Sequence, residues 1–121
     1  CHSNTQREVH RLFGQLKSQF IDKGLPIVLG EYGAVHHNPT KENAKWNIDF
    51  KKCEESRAYY MRYIVREAKN NGFTSFYWDN NYYGGDEENF ALFDRHNNMK
   101  VYDQATLDAI ILGAAEGEFP F

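Results

Sequence analysis

The chain alternates helix and strand twice over. A helix-patterned segment ends at a glycine and gives way to a short apolar run, first at Gly24 and residues 26–31, then at Gly72 and residues 73–79. Thr5-Gln-Arg-Glu8 has the spacing of a capping box. Leu12, Phe13, Leu16 and Phe20 follow at helical spacing, up to a glycine suited to a left-handed helix stop. Pro26 cannot continue a helix, so the first strand begins there. A second helix is predicted over about 54–71, with Ala58, Met61, Ile64, Val65 and Ala68 as its buried stripe. A last helix is predicted over about 103–114, with Leu107, Ile110, Ile111 and Ala114 inward. Residues 34–52 and 82–100 read as long loops, and 116–121 as a tail. Strands separated by helices imply parallel pairing through right-handed crossovers. Two strands alone leave long unpaired edges, so the expected architecture is α/β and part of a larger domain, or one whose sheet partner lies on another chain.

At 121 residues the chain can bury one modest core. Its net charge of −3 argues against a nucleic-acid partner, which needs a basic face. No apolar run approaches a membrane span, and the N-terminus lacks a charged-then-apolar leader. Cys1 and Cys53 have neither metal-site nor disulfide-framework spacing and read as incidental thiols; a single bridge between them is the unsupported alternative. No cofactor and no metal are expected. The aromatic content of 16% is high, and flat rings suit sugar faces as well as cores.

The first strand ends in a carboxylate. By strict alternation Ile27, Leu29 and Glu31 share one face, so a row of apolar side chains leads to a single acid at the C-terminal end. In parallel α/β proteins that end carries the chemistry. A Glu that merely caps the strand and faces solvent is the plainer alternative. In the second strand Thr74, Phe76, Trp78 and Asn80 share a face, which brings Trp78 and Asn80 to the same rim as Glu31. An indole can cover the C–H face of a pyranose while an amide and a carboxylate take its hydroxyls and anomeric carbon. Core packing is the alternative for Trp78, and the expected role of Phe76.

Pro26-Ile-Val-Leu-Gly-Glu-Tyr-Gly33, Gly72-Phe-Thr-Ser-Phe-Tyr-Trp-Asp-Asn80 and Phe90-Ala-Leu-Phe-Asp-Arg95 together resemble the C-terminal part of glycoside hydrolase family 5. The likeness is strongest to its endo-β-1,4-glucanases and xyloglucanases. The resemblance implies that all 121 residues belong to one (β/α)8 barrel domain, around its seventh and eighth strands. It implies that Glu31 is the nucleophile of a retaining mechanism and that Trp78 and Asn80 bind substrate beside it. It further implies a secreted bacterial enzyme acting on a β-glucan. The family's Gly after Trp-Asp-Asn is Asn81 here, a residue that tolerates the left-handed conformation.

The resemblance also defines an absence. The acid/base Glu of the family sits in an Asn-Glu-Pro motif, and no Asn-Glu pair occurs in this chain. Retaining chemistry needs two carboxyl groups about 5–5.5 Å apart. A complete barrel needs roughly 250 residues. The 121 residues alone are therefore expected to be inactive, the partner acid and the remaining strands lying upstream or on a companion chain.

Other candidates are less specific. His36 could line the cleft and assist Glu31, or stand with His37 as a solvated loop histidine. Trp46 could add a sugar subsite or pin its loop to the barrel. Tyr82 and Tyr83 could form a rim platform or stack on neighbouring loops. The acidic run 86–89 fits no calcium loop. Asp79, on the face opposite Trp78, is expected to make supporting hydrogen bonds rather than catalyse. Two further readings of the whole chain stand beside the enzyme: a non-catalytic carbohydrate-binding piece built on Trp78, and a structural fragment that assembles with another chain.

Overall fold

A computed structural model describes residues 3–41, 43–85 and 88–121, with the side chains of 3–5 excepted. Helix α1 spans Ser3–Gln19, strand β1 Ile27–Tyr32, helix α2 Phe50–Asn70 and strand β2 Phe73–Tyr77. A two-residue antiparallel ladder follows, β3 Phe93–Asp94 with β4 Lys100–Val101, and helix α3 spans Gln104–Glu116. Strands β1 and β2 pair in parallel, with α2 as the crossover between them.

The expected helices are present with shifted ends. α1 is already running at Thr5, whose side chain lies outside the described residues, and it stops at Gln19. A single 3-10 turn, Ile21–Lys23, then carries the chain to Gly24 at φ 79°. α2 starts at Phe50, four residues before the expected position, because the Asp49 carboxylate accepts from the Lys52 N–H at 3.1 Å and caps it. The 116–121 segment is no free tail. The Glu118 N–H donates to Asn70 Oδ1 at 2.9 Å, and Pro120 and Phe121 close over Gly72.

One face of the β1–β2 pair is covered and the other is open. Phe13, Ala68 and Phe73 form a buried cluster joined by Val9, Leu16, Ile21, Ile27 and Leu29. The Phe13 and Phe73 rings meet at 5.0 Å. On α1 the packed stripe is thus Val9, Phe13 and Leu16, while Leu12, and Phe20 just past the helix end, are exposed. The stripe of α2 is Arg57, Met61, Ile64, Val65 and Ala68; Arg57 takes the fully buried place expected for Ala58. On α3 the buried residues are Thr106, Ala109 and Gly113, with Leu107 and Ile110 half-buried and Ile111 and Ala114 exposed. Small residues lie inward because α3 packs very close to α2. A Cβ on Gly113 would stand 2.4 Å from the Arg62 carbonyl oxygen. Gly113→Ala is accordingly expected to destabilise by about 1–3 kcal/mol through overpacking, read as a lower urea midpoint at unchanged m-value.

The uncovered face carries Val28 (60% exposed), Phe76 (55%) and Trp78 (45%). The core role expected for Phe76 is therefore not met by the described residues: Phe76 faces away from the helices, toward the side where a closed barrel would hold its interior.

Candidate active site

Glu31 reaches the rim by a route that alternation does not foresee. Ile27, Val28 and Leu29 pair with Phe73, Thr74 and Ser75, but the next pair is Tyr32 with Tyr77. Three residues of β1 thus span two of β2, and the extra residue is a bulge at Gly30–Glu31. Tyr32 takes the helix-covered side, its ring edge-on to Tyr77 at 5.7 Å. Burial pushes both phenols up to about 12; Ser75 opposes the rise at Tyr32, and Arg57 opposes it at Tyr77. Glu31, one residue earlier, is turned to the opposite side, that of Phe76 and Trp78. Ile27, Leu29 and Glu31 consequently do not share a face: the two aliphatic residues pack on the helices, and Glu31 stands exposed on the open side. The Trp78 N–H donates to the Tyr32 carbonyl at 2.8 Å, so the two strand ends stay joined where Glu31 and Trp78 emerge.

Asn80 also lies at this rim, with its amide partly engaged. Its Nδ2 donates to the Glu88 carbonyl at 2.7 Å, and its Oδ1 accepts from the Tyr82 N–H at 3.1 Å. Among the described residues, one amide hydrogen and one lone pair of Asn80 are left unused. Asn81 adopts φ 62°, the left-handed conformation that an asparagine tolerates. Asp79 organises the loop behind it. It accepts from the backbone N–H groups of Asn81 at 2.8 Å and Leu92 at 3.0 Å, and pairs with Arg95 at 3.2 Å.

His36 is largely buried rather than solvated. Its ring stacks on Tyr83 at 4.7 Å, and Tyr83 in turn stacks parallel on Tyr102 at 4.7 Å. Nε2 lies 3.0 Å from the Tyr83 hydroxyl, while Nδ1 faces Asp103 Oδ2 at a longer 3.4 Å. Tyr83 is thus used between loops, and Tyr82 remains exposed. His37 points the other way and is exposed. Trp46 is 63% exposed among the described residues, with Lys45 Nζ 5.5 Å from its ring. Asparagines tie the loops together. Asn38 Nδ2 donates to the carbonyls of Tyr83 at 3.1 Å and Gly85 at 3.0 Å, and the buried Asn89 donates to the His36 carbonyl at 3.0 Å. Of the acidic run 86–89, residues 86 and 87 lie outside the described residues. Cys53 is half-buried on α2, and Cys1 lies outside the described residues.

Behind the rim sits a buried ion pair. Arg57 Nη1 bonds Asp103 Oδ2 and, at 2.6 Å, the Thr106 hydroxyl; Nε reaches the Ala34 carbonyl at 2.8 Å and Nη2 the Tyr77 hydroxyl at 2.9 Å. Asp103 caps α3 through the Thr106 N–H at 2.9 Å. Burial by itself would raise the Asp103 carboxyl, but His36, Thr106 and Arg57 together outweigh it and hold it at about 2, against an ordinary 3.8. A depressed carboxylate contributes stability that is complete above its unfolded value and is lost as pH falls through its folded one. Acid titration from about pH 4 to 2 should therefore remove roughly 2 kcal/mol, followed as a falling urea midpoint; in Asp103→Asn that share of the loss should vanish.

A groove of about 1020 Å³ lies elsewhere, between α1, α2 and the 34–49 loop, with Val9, Val35, His37, Tyr59, Tyr60 and Tyr63 in its walls. Neither Glu31 nor Trp78 nor Asn80 lines it, so it is separate from the rim. No group of three His, Cys, Asp or Glu side chains among the described residues could hold a metal ion. None of the described helices is long and apolar enough to cross a membrane.

Parallel strands joined by a helical crossover, with a carboxylate and an indole at their C-terminal rim, define an α/β-barrel type of site. The family model for cellulase, glycosyl hydrolase family 5, matches residues 2–84. The chain belongs to that family. Endoglucanase A of Ruminococcus albus is 32% identical over 88% of this chain and 26% of its own length. Endoglucanase B of Neocallimastix patriciarum is 27% identical over 78% of this chain and 17% of its own. Among solved structures, a family 5 xyloglucan-specific β-1,4-glucanase from a ruminal metagenomic library superposes with a TM-score of 0.83 at 27% identity, over 96% of this chain and 29% of that one. A family 5 lichenase from Caldicellulosiruptor, crystallised with cellotetraose, gives 0.75 at 30% identity, over 93% and 26%. The chain therefore spans between 17% and 29% of the length of these relatives, and its fold is part of a (β/α)8 barrel.

Proposed function

We propose that this chain supplies the nucleophilic half of the active site of a retaining endo-β-1,4-glucanase acting on β-1,4-glucan or xyloglucan. What supports the reading above all is the bulge at Gly30–Glu31, which turns a carboxylate to the face of Trp78. A Glu31 carboxylate oxygen attacks the anomeric carbon, the glycosidic oxygen leaves with a proton from a partner acid, and water then releases the glycosyl-enzyme. Trp78 covers the sugar's apolar face and Asn80 holds a hydroxyl with its remaining hydrogen-bonding capacity. The names of the relatives, endoglucanases, a xyloglucanase and a lichenase, support a glucan substrate. His36, stacked on Tyr83, takes no contact with sugar in this proposal. Trp46 remains a candidate outer subsite, because its ring is exposed.

The acid/base residue and the other strands belong to the complete protein, as residues upstream or on a companion chain, all within one barrel domain. The exposed Val28 and Phe76, and the exposed Leu12, Ile111 and Leu112 on the helices, are the surfaces those elements would cover. The 121 residues alone should hydrolyse no glucan. Secretion follows from the polymeric substrate, which a cell must meet outside. A 2-deoxy-2-fluoro glucoside should label Glu31 covalently in the complete protein, detected by peptide mass. An active enzyme whose Glu31 stays unlabelled would overturn the nucleophile assignment. Glucan affinity without turnover, unaltered in Glu31→Gln, would favour the carbohydrate-binding alternative.

A further inference from the structure

We propose that Arg57 is a positioning residue whose guanidinium brackets the C-terminal ends of β1 and β2 and so sets the separation of Glu31 from Trp78. The kinetic consequence rests on the hydrolase reading; the geometry does not. One arm of the fork, Nε, holds the Ala34 carbonyl at 2.8 Å, three residues beyond Glu31. Another, Nη2, donates to the Tyr77 hydroxyl at 2.9 Å, on the residue before Trp78. That hydroxyl donates its own hydrogen to the Phe90 carbonyl at 2.7 Å, so it is fixed as the acceptor of Arg57. Between the two arms the strands are closed by the Tyr32–Tyr77 ring contact and by the Trp78 N–H on the Tyr32 carbonyl.

The back of the bracket is equally anchored. Nη1 engages Asp103 and Thr106, at the first turn of α3, so neither the guanidinium nor its counter-ion can drift. A guanidinium is planar and holds its donors at fixed angles; an ammonium of the same charge has no such fork. Burying a charge is costly, and replacing a buried ion pair by well-packed apolar residues is often neutral or stabilising. The buried fork does what an apolar side chain does not: it ties two strand ends that the ladder alone leaves bulged. Arg57 is 5% exposed and lies on the covered side of the sheet, away from the rim, so it acts only through Ala34 and Tyr77.

Two variants of the complete protein test this. Arg57→Lys keeps the charge and loses the fork; Tyr77→Phe keeps the ring packed on Tyr32 and loses one arm. Each should retain the fold by circular dichroism and lower kcat on β-1,4-glucan about tenfold or more, with KM within about threefold, because displaced reacting groups are felt chiefly in the transition state. The 19F resonance of fluorotryptophan at position 78, assigned with Trp78→Phe, should shift in Arg57→Lys. Folded variants with kcat within about twofold of the parent, or a Trp78 resonance that Arg57→Lys leaves in place, would overturn the proposal. Lower stability at unchanged kcat would overturn it too, since that is what a merely structural pair gives. Should Arg57→Lys fail to fold, Tyr77→Phe decides by the same kinetic criterion. Should the parent protein itself turn over no glucan, the hydrolase reading falls and the 19F shift alone decides the bracket.

Discussion

Glu31→Gln is expected to lower turnover of β-1,4-glucan by the complete protein about 10³-fold or more, with little change in substrate affinity. The amide keeps the shape of the side chain and loses the nucleophile, so no covalent intermediate forms. Losses of that order are usual when a residue acting only along the reaction coordinate is removed. Stability should hardly move. Glu31 is exposed and makes no hydrogen bond or ion pair with the described residues, and substitutions at such sites usually change stability by less than about 0.5 kcal/mol. Initial rates on a soluble β-glucan and a thermal unfolding curve test both halves. Parent-like rates would exclude Glu31 as nucleophile. Loss of rate together with a collapsed fold would show that the residue supports structure.

The second large effect is on stability. Arg57→Ala should destabilise by about 3–5 kcal/mol, because it strands the Asp103 carboxylate, fully buried, without its counter-ion. For a domain of ordinary stability that is a substantial part of the total. The stranded charge, more than the lost contacts, is the expected cause. Adding Asp103→Asn to Arg57→Ala should therefore recover part of the loss, since Asn is neutral and still caps α3. Urea unfolding of the single and double variants measures the coupling. Additive losses would mean that the pair contributes packing alone.

Much of the fold can be read from residue spacing. The apolar period of α2, the glycines at 24 and 72 and the β-branched and aromatic runs all report local preferences, and local preferences prevailed there. The ends of elements were read less well. α2 begins at Phe50 because the carboxylate of Asp49 caps it, inside a stretch that reads as loop by composition. The inward face of α3 was misread at Ile111 and Ala114, because hydrophobicity marks what can be buried, while the close approach of α2 selects what fits. Arg57 was missed for a related reason. It stands four residues before Met61, squarely on the buried stripe, but an arginine reads as a solvent residue until a buried partner is known. Its partner, Asp103, is 46 residues away in sequence.

The site divides in the same way. The sequence by itself determined which groups are available at the rim: a carboxylate closing one strand, an indole and an amide closing the next, and an asparagine able to take the left-handed turn that follows. These follow from residue type and short spacing, which the chain carries locally. Only the tertiary structure decided that Glu31 stands on the same side of the strand pair as Trp78. Strict alternation would have sent Glu31 to the helix side with Leu29, and the bulge at Gly30 turned it to the open side. Gly30, inside a strand, was the one hint. Where a bulge forms depends on the neighbouring strand's register and on the side chains, Tyr32 against Tyr77, that the register must seat. The bracket of Arg57, Ala34, Tyr77 and Asp103 likewise exists only when four separated segments meet, and no local spacing encodes such a meeting.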